Sequence, residues 1–323
     1  MCQSEDPAGV VVVDKPAGMT SHDVVNVMRR LYGTRRVGHA GTLDPDATGV
    51  LVVCLGQATR LVEYLAAGRK SYVAGVRFGI ETDTQDASGR VLSTRPAGHL
   101  GAQDVERALE RFRGRIRQIP PMVSAVHHEG KRLYELARAG KQVEREAREI
   151  EIFRLELREF RPGEAADAIV EVVCSSGTYI RTLAADIGEA VGTGAHMSSL
   201  RRTWVTCAGE RRLDVEQAFS LDALRQRAQE GRLSETILPM AEAVRDWPSV
   251  TLDEESLMRI LAGQRLALGE SGPLAALRSG DEAARCDGDD GSPVAVLDGS
   301  GRLAAVATIS SGELRPVKVL IPR

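Results

Sequence analysis

Residues 38–51 read G-H-A-G-T-L-D-P-D-A-T-G-V-L, and they hold the group in this chain best framed for chemistry. Asp44 stands between Gly38, Gly41 and Gly49, with His39 and Pro45 close by. Glycines allow sharp turns and close backbone approach to a ligand. Pro45 fixes its own φ and pushes Asp44 out of the helical region. The loop runs from Val37 into the apolar run Val50–Leu55, so the carboxylate is presented by a stiff loop on a core element. A lone carboxylate can attack a sugar carbon or stabilise positive charge there. The plainer reading is a turn-forming Asp before Pro. Asp44-Pro45-Asp46 also resembles a carboxylate pair for a metal or for glycoside hydrolysis. No His or further acid lies at a supporting spacing, so no metal site is read here.

The elements that must carry this loop follow from periodicity. Val10–Asp14 reads as a buried strand. Thr20 or Ser21 is suited to cap a helix through Leu31, with Val24, Val25, Val27, Met28 and Leu31 on its apolar face, and Gly33 to end it. Val50–Leu55 reads as a core strand, and Tyr72–Phe78 alternates as a half-buried one does. Glu81–Gly89 reads as a loop, 102–113 as an amphipathic helix, Ile150–Phe160 and Ala168–Cys174 as strands, and Tyr179–Ala190 as a helix. Strands and helices mix without strict βαβ alternation, which points to an α+β fold. Residues 120–150 are charged and stand apart after Pro120-Pro121, as a mobile insertion would. Trp247-Pro248 marks a boundary. Beyond it a helix is expected at 253–262, a Gly/Asp-rich loop at 286–292, and strands at 294–297, 304–309 and 315–319. The expected domains are a tail at 1–9, a catalytic domain at 10–247 and a small β domain at 248–323.

Composition limits the remaining classes. At 323 residues, one large domain plus a smaller one is the natural division. No apolar run approaches the ~20 residues that span a bilayer, and Met1–Gly9 lacks the apolar core of a signal peptide. The five cysteines are scattered, which fits a reducing cytoplasm better than a disulfide framework. No Gly-x-Gly-x-x-Gly turn or P-loop supports a nucleotide cofactor. Net charge is −3, yet residues 251–323 hold 8 basic against 11 acidic side chains and account for all of it. Upstream, basic residues cluster at Arg29, Arg30, Arg35 and Arg36, at Arg111, Arg113, Arg115 and Arg117, and at Lys131, Arg132, Arg138, Lys141, Arg145 and Arg148. Arginine forks suit phosphate. Solvated helix faces are the bland alternative, and clusters flanking motif residues favour an RNA surface.

The motifs, taken in order, resemble those of the TruB-type tRNA pseudouridine synthases. Gly38–Leu51 resembles the catalytic-aspartate motif of that family. Asp14-Lys15-Pro16-Ala17-Gly18-Met19-Thr20-Ser21 resembles its K-P-x-G-x-T-S motif, and Lys70-Ser71-Tyr72 its K-x-Y motif. Pro120-Pro121-Met122 and 130–140 resemble its central segment, and 177–183 and 194–203 its last two core motifs. The similarity runs from about residue 10 to about residue 245.

The resemblance implies an α+β pseudouridine synthase core, with a mixed, largely antiparallel central sheet, flanking helices and a central cleft. A small PUA-like β domain would follow. It implies isomerisation of uridine-55 in the T loop of tRNA, with no cofactor and no metal. The expected roles are Asp44 as nucleophile, Tyr72 stacking on uracil and assisting loss of the C5 proton, and Arg181 pairing with Asp44. For the last two, the alternatives are a core tyrosine and a surface arginine at a helix start. Leu200 and Tyr179 would line the pocket, and His39 would stack where the flipped base had been. Lys15 would support the 16–21 loop or contact RNA. The expected partner is the T-stem loop, with no membrane and no obligatory protein partner, for a cytoplasmic monomer.

The chain departs from the family pattern in three places. Asp46 replaces an apolar residue and could raise the pKa of Asp44; the expectation is that it points away and is neutral for catalysis. Val123 replaces an aromatic, and His127-His128-Glu129 replaces a Leu/Lys-type stretch. Three other functions compete: a non-catalytic RNA-binding protein, a metal-dependent hydrolase using Asp44 and Asp46, and a guide-dependent subunit of a ribonucleoprotein. Intact Asp44, Tyr72 and Arg181 argue against the first, and the absence of long basic extensions against the last.

Overall fold

A computed structural model of the chain describes residues 7–122, 127–128, 131–132, 143–207, 209–267 and 291–321. Residues 1–6 of the tail expected at 1–9, the helical pattern at 134–137, most of the expected insertion, and loop residues 286–290 lie outside them. So do Val123 and Glu129. Gly9 of that tail opens the first strand. Packing divides the chain into two compact units. One is drawn from Met1–Pro45, Val50–Gly68 and Thr206–Arg323, the other from Asp46–Gly49 and Arg69–Val205.

In the first unit, the strand Gly9–Lys15 lies between Phe219–Ser220, to which it is parallel, and the strand Thr48–Leu55. Val37–Ala40 pairs antiparallel with 52–55. Val50–Leu55 is buried at every residue, as a run covered on both faces must be. The helix Ser21–Leu31 covers part of it through Val24, Val25 and Met28, which pack with Val11, Val13, Leu51, Val53 and Leu55. Thr20 caps this helix, and Thr20 and Asp23 form a reciprocal capping box. The helix stops at Tyr32, where Gly33 takes φ +65°.

The same unit holds the expected small β element. Five strands run in the order Ser249–Thr251, Pro293–Leu297, Leu303–Ser310, Glu313–Val319, Leu266–Ala267, with the helix Glu254–Leu261 against them. Val250, Ile260, Val294, Val296, Ala305 and Leu314 form its core. The strand Glu313–Val319 meets residue 60: Arg60 Nη1 donates to Val319 O at 2.6 Å, and Lys318 Nζ donates to Arg60 O at 2.9 Å.

The second unit is a mixed, largely antiparallel sheet. The strand Ala195–Thr206 pairs with Lys70–Phe78, which pairs with Asp167–Cys174, then Arg148–Arg161, then Gly114–Gln118, every pair antiparallel. Thr48 and Gly49 pair parallel with Arg201 and Arg202. Helices Ala102–Glu110 and Ile180–Ala190 belong to this unit. The region read as a loop at 81–89 is in part a small antiparallel pair, Ile80–Thr82 with Val91–Thr94, closed by a turn. The first helix ends three residues earlier than its pattern suggested, and Tyr179 caps the second rather than lying within it.

Candidate active site

Asp44 is half-buried, and its two chain neighbours are held by the Lys15–Ser21 segment. On one side, the Leu43 N–H donates to Ser21 Oγ at 2.9 Å, and both residues are buried. On the other, the Pro45 carbonyl accepts from Lys15 Nζ at 2.8 Å and from the Gly18 N–H at 3.0 Å. Lys15 is fully buried, and its ammonium also donates to Pro16 O at 2.8 Å and Met19 O at 2.6 Å. One ammonium joins the 16–21 loop to Pro45. The N-terminal motif thus brackets the carboxylate: one side chain grips the residue before it and another the residue after it. Gly41 and Gly49 take φ +98° and +100°, a region closed to most side chains. A Cβ on Gly49 would sit 2.1 Å from Arg202 O. Gly38 has room for a Cβ, so only two of the three framing glycines are demanded by backbone or space. Asp46 is exposed. His39 is half-exposed on the 37–40 strand, opposite Val53.

In the second unit, register places the other expected residues. Tyr72 lies opposite Val172 on one side and Arg202 on the other, and Leu200 lies opposite Ala74. Directly paired residues share a face, as do residues two apart. Tyr72, Leu200, Arg202, Lys70 and Cys174 therefore lie on one face. All five are at least nine-tenths buried. Tyr72 and Leu200 are diagonal neighbours there, within reach of each other's side chains. The K-x-Y spacing has a physical meaning in this setting: it puts Lys70 on the face of Tyr72. Burial pushes the Lys70 ammonium down to about 8, the Arg202 guanidinium adds to the fall and the Cys174 thiol opposes it.

Arg181 is buried, and its Nη1 lies 3.7 Å from Asp86 Oδ2. The sequence reading missed Asp86. Its other oxygen accepts from Thr84 Oγ1 at 2.7 Å, the Ser88 N–H at 3.0 Å and Ser88 Oγ at 2.6 Å. Gln85 carries φ +63°. Backbone bonds between Gln85 and Met197 and between Ala87 and Met197 tie this turn to the strand that carries Leu200. The T-D-T-x-D-x-S run was the available signal, a dense set of Asx- and hydroxyl-turn residues. Tyr179 is half-buried, and both of its backbone polar groups meet Gln118. Asp44, His39 and Lys15 thus belong to the first unit, and Tyr72, Tyr179, Arg181 and Leu200 to the second.

The basic clusters separate on inspection. Arg113 donates to Leu155 O at 3.1 and 3.0 Å, while Arg115 and Arg117 sit opposite Glu151 and Glu149. Two of its four arginines therefore face cross-strand carboxylates. Among the described residues, Arg29, Arg30, Arg35 and Arg36 form no ion pair; Arg29 Nη1 donates to Asn26 Oδ1 at 2.9 Å and Arg30 Nε to Asn26 O at 3.3 Å. Arg145 donates to Pro120 O at 2.9 Å. The side chains at 131–142 lie outside the described residues.

The profile described as "TruB family pseudouridylate synthase (N terminal domain)" matches residues 29–180, and "tRNA pseudouridylate synthase B C-terminal domain" matches 181–245. The chain is 51% identical over 255 residues to tRNA pseudouridine synthase B of Symbiobacterium thermophilum, covering 79% of this chain and 82% of that one. It is 44% identical over 315 residues to tRNA pseudouridine synthase B of Mycobacterium bovis, covering 95% and 98%. Among solved structures, one in a "Crystal Structure of a Cbf5-Nop10-Gar1 Complex" is similar at TM-score 0.71 and 28% identity, covering 98% of this chain and 85% of that one.

Proposed function

This chain belongs to the TruB family of tRNA pseudouridine synthases, and from that premise we propose that it isomerises uridine-55 in the T loop of tRNA, acting alone, with Asp44 as nucleophile. The observation that carries the reading is the bracketing of Asp44 by Ser21 before it and by Lys15 and Gly18 after it. A carboxylate held this way is oriented before substrate arrives, which is where much of a catalytic gain comes from.

The reaction breaks the bond between C1′ and N1, turns the uracil, and joins C1′ to C5. The C5 proton leaves and N1 gains one, so no redox step enters. In this reading Asp44 starts the reaction, by attack at C1′, by attack at C6 or through a glycal, and is free again once C1′ is joined to C5. Arg181 keeps Asp44 ionised and directed. Tyr72 stacks on the uracil, and its hydroxyl assists removal of the C5 proton. Leu200 and Tyr179 confine the freed base. A stacked uridine must first be extruded, and His39 fills the place it leaves. Residues 248–323 serve as the small PUA-like domain, and the 120–150 segment contacts RNA.

Tritium release from C5-labelled tRNA by the purified chain tests this. Release by the wild type alone, lost in Asp44→Asn with tRNA affinity kept within a few-fold, is the expected result. Activity retained by Asp44→Asn would remove the central assignment. A requirement for an added protein or guide RNA would remove the stand-alone reading.

A further inference from the structure

The helix Ile180–Ala190 begins without a side-chain cap of its own. Tyr179 occupies the N-cap with φ −101° and ψ 108°, makes no side-chain cap bond, and no acid occupies the first turn. The group that fixes this helix start comes from another strand. Gln118, the last residue of Gly114–Gln118, donates Nε2 to Tyr179 O at 3.3 Å and accepts the Tyr179 N–H at Oε1, at 3.0 Å. The same Tyr179 carbonyl accepts the helical bond from the Leu183 N–H at 3.0 Å. Gln118 is 2% exposed. One buried amide therefore meets both polar groups of a single residue, as a paired strand would.

The turn into the helix is tied at its other end as well. The Ser175 N–H donates to Glu151 O at 2.8 Å, and Ser175 Oγ accepts the Glu151 N–H at 2.9 Å. Thr178 Oγ1 donates to Ser175 O at 3.0 Å. Glu151 and Gln118 lie on paired strands. Residues 175–179 are thus gripped at both ends by one two-stranded frame, and Arg181 follows two residues after the Gln118 grip. An apolar side chain of similar volume would fill the same space at less desolvation cost, but would not set the direction of the peptide.

We infer that Gln118 is a positioning residue for the reaction: its amide fixes the helix start that aims Arg181 and sets the Arg181–Asp86 pair. The inference rests on the proposed role of Arg181. Small displacements of a reacting or stabilising group are expensive in rate, so Gln118→Met should slow single-turnover pseudouridine formation at saturating tRNA about 10- to 100-fold. The tRNA dissociation constant should stay within about threefold.

Gln118→Glu gives a readout that simple packing would not move. When ionised it accepts from the Tyr179 N–H but repels the Tyr179 carbonyl; when protonated it restores the donor. Facing a carbonyl in a buried site raises its pKa. Its rate relative to wild type should therefore rise several-fold as pH falls from about 8 to about 6. Gln118→Met equal to wild type within about twofold in rate would overturn the inference, and so would a loss confined to tRNA affinity. If Gln118→Met does not fold, the Gln118→Glu profile decides, and a flat ratio overturns it. Wild type that releases no tritium would sink the proposed function instead, so the two failures are distinct.

Discussion

Lys15 and Pro45 stand thirty residues apart in sequence and meet at 2.8 Å, ammonium to carbonyl. The contact makes one object of two motifs: the fully buried Lys15 reaches past Pro16 and Met19 to hold the residue that follows Asp44. A buried cation persists where dipoles replace its water, and three carbonyls do so here. The motif around Lys15 is therefore scaffolding for the Asp44 loop.

Lys15→Met should accordingly lose both stability and rate. It removes a charged donor from three carbonyls, each charge-assisted bond contributing about 1.5–3 kcal/mol before relaxation. We expect at least about 2 kcal/mol of destabilisation in urea, with turnover falling more than tRNA affinity. An unchanged urea midpoint would show that the clamp is dispensable.

Asp86 should matter to the reaction through Arg181 alone. Its Oδ2 lies 3.7 Å from a guanidinium only 7% exposed, and taking a carboxylate from a buried cation is costly. Asp86→Asn keeps the bonds to Thr84 and Ser88 in shape and removes the charge. The single-turnover rate should drop about tenfold or more while tRNA binding holds. Ser88→Ala, which loses one of the bonds to the opposite oxygen, should change the rate far less. Equal effects from the two would show that Asp86 acts by shaping its turn.

Why some of this was legible in sequence and some was not has a physical answer. Val10–Asp14, the capped helix from Ser21, Val50–Leu55 and Tyr72–Phe78 announce themselves by apolar period, and each appears within two residues of its expected bounds. The strand Ala195–Thr206 does not. It reads A-H-M-S-S-L-R-R-T-W-V-T, and two register shifts, at Met197/Ser199 and Arg202/Trp204, break its alternation. It also buries Arg202 at 1% exposure, against every composition rule for a core strand. Asp86 was hidden for another reason. Its partner lies on a helix 95 positions away, and turn chemistry alone gave it no reason to be singled out. Gln118 is the same case: a lone amide at a strand end reads as surface until its two bonds to Tyr179 are seen.

Stability should carry a signature of Lys70. Its ammonium falls from 10.5 to about 8, chiefly by burial, a difference of roughly 3 kcal/mol between charged forms. A depressed lysine weakens the fold wherever it is charged in both states, so the full penalty applies below about pH 8. Between about 8 and 10.5 the unfolded chain binds more protons than the folded one, and stability rises with pH. Cys174 works in the opposite sense. Burial raises its thiol from 9.0 to about 11, so above pH 9 the unfolded chain loses the proton first and stability falls. Cys54 and Cys207, which burial raises from 9.0 to about 12, act in the same sense as Cys174, so over pH 8 to 9 a paired measurement against Lys70→Met separates the lysine from the thiols. Wild type should gain about 1 kcal/mol there relative to Lys70→Met in paired urea titrations. Parallel curves for the two proteins would mean the lysine titrates normally.

Gly49 and Gly38 frame the same carboxylate and should respond in opposite ways to a methyl group. Gly49 holds φ +100°, and an added Cβ would lie 2.1 Å from Arg202 O and 2.8 Å from Arg202 N. Those atoms belong to the parallel pairing of Thr48 and Gly49 with Arg201 and Arg202, and backbone on a paired strand cannot yield as a flexible side chain can. Gly49→Ala thus combines left-handed strain, of order 1–3 kcal/mol, with separation of a paired strand, and should destabilise by more than about 3 kcal/mol. Gly38 has no left-handed φ, and its nearest neighbours to a Cβ would be Val62 Cγ2 at 3.6 Å and Thr59 Cγ2 at 3.8 Å, ordinary contact distances. Gly38→Ala should fold within about 1 kcal/mol of wild type. Thermal melts of the two variants decide the matter, and comparable losses would place the demand on the loop as a whole and not on the Gly49–Arg202 approach.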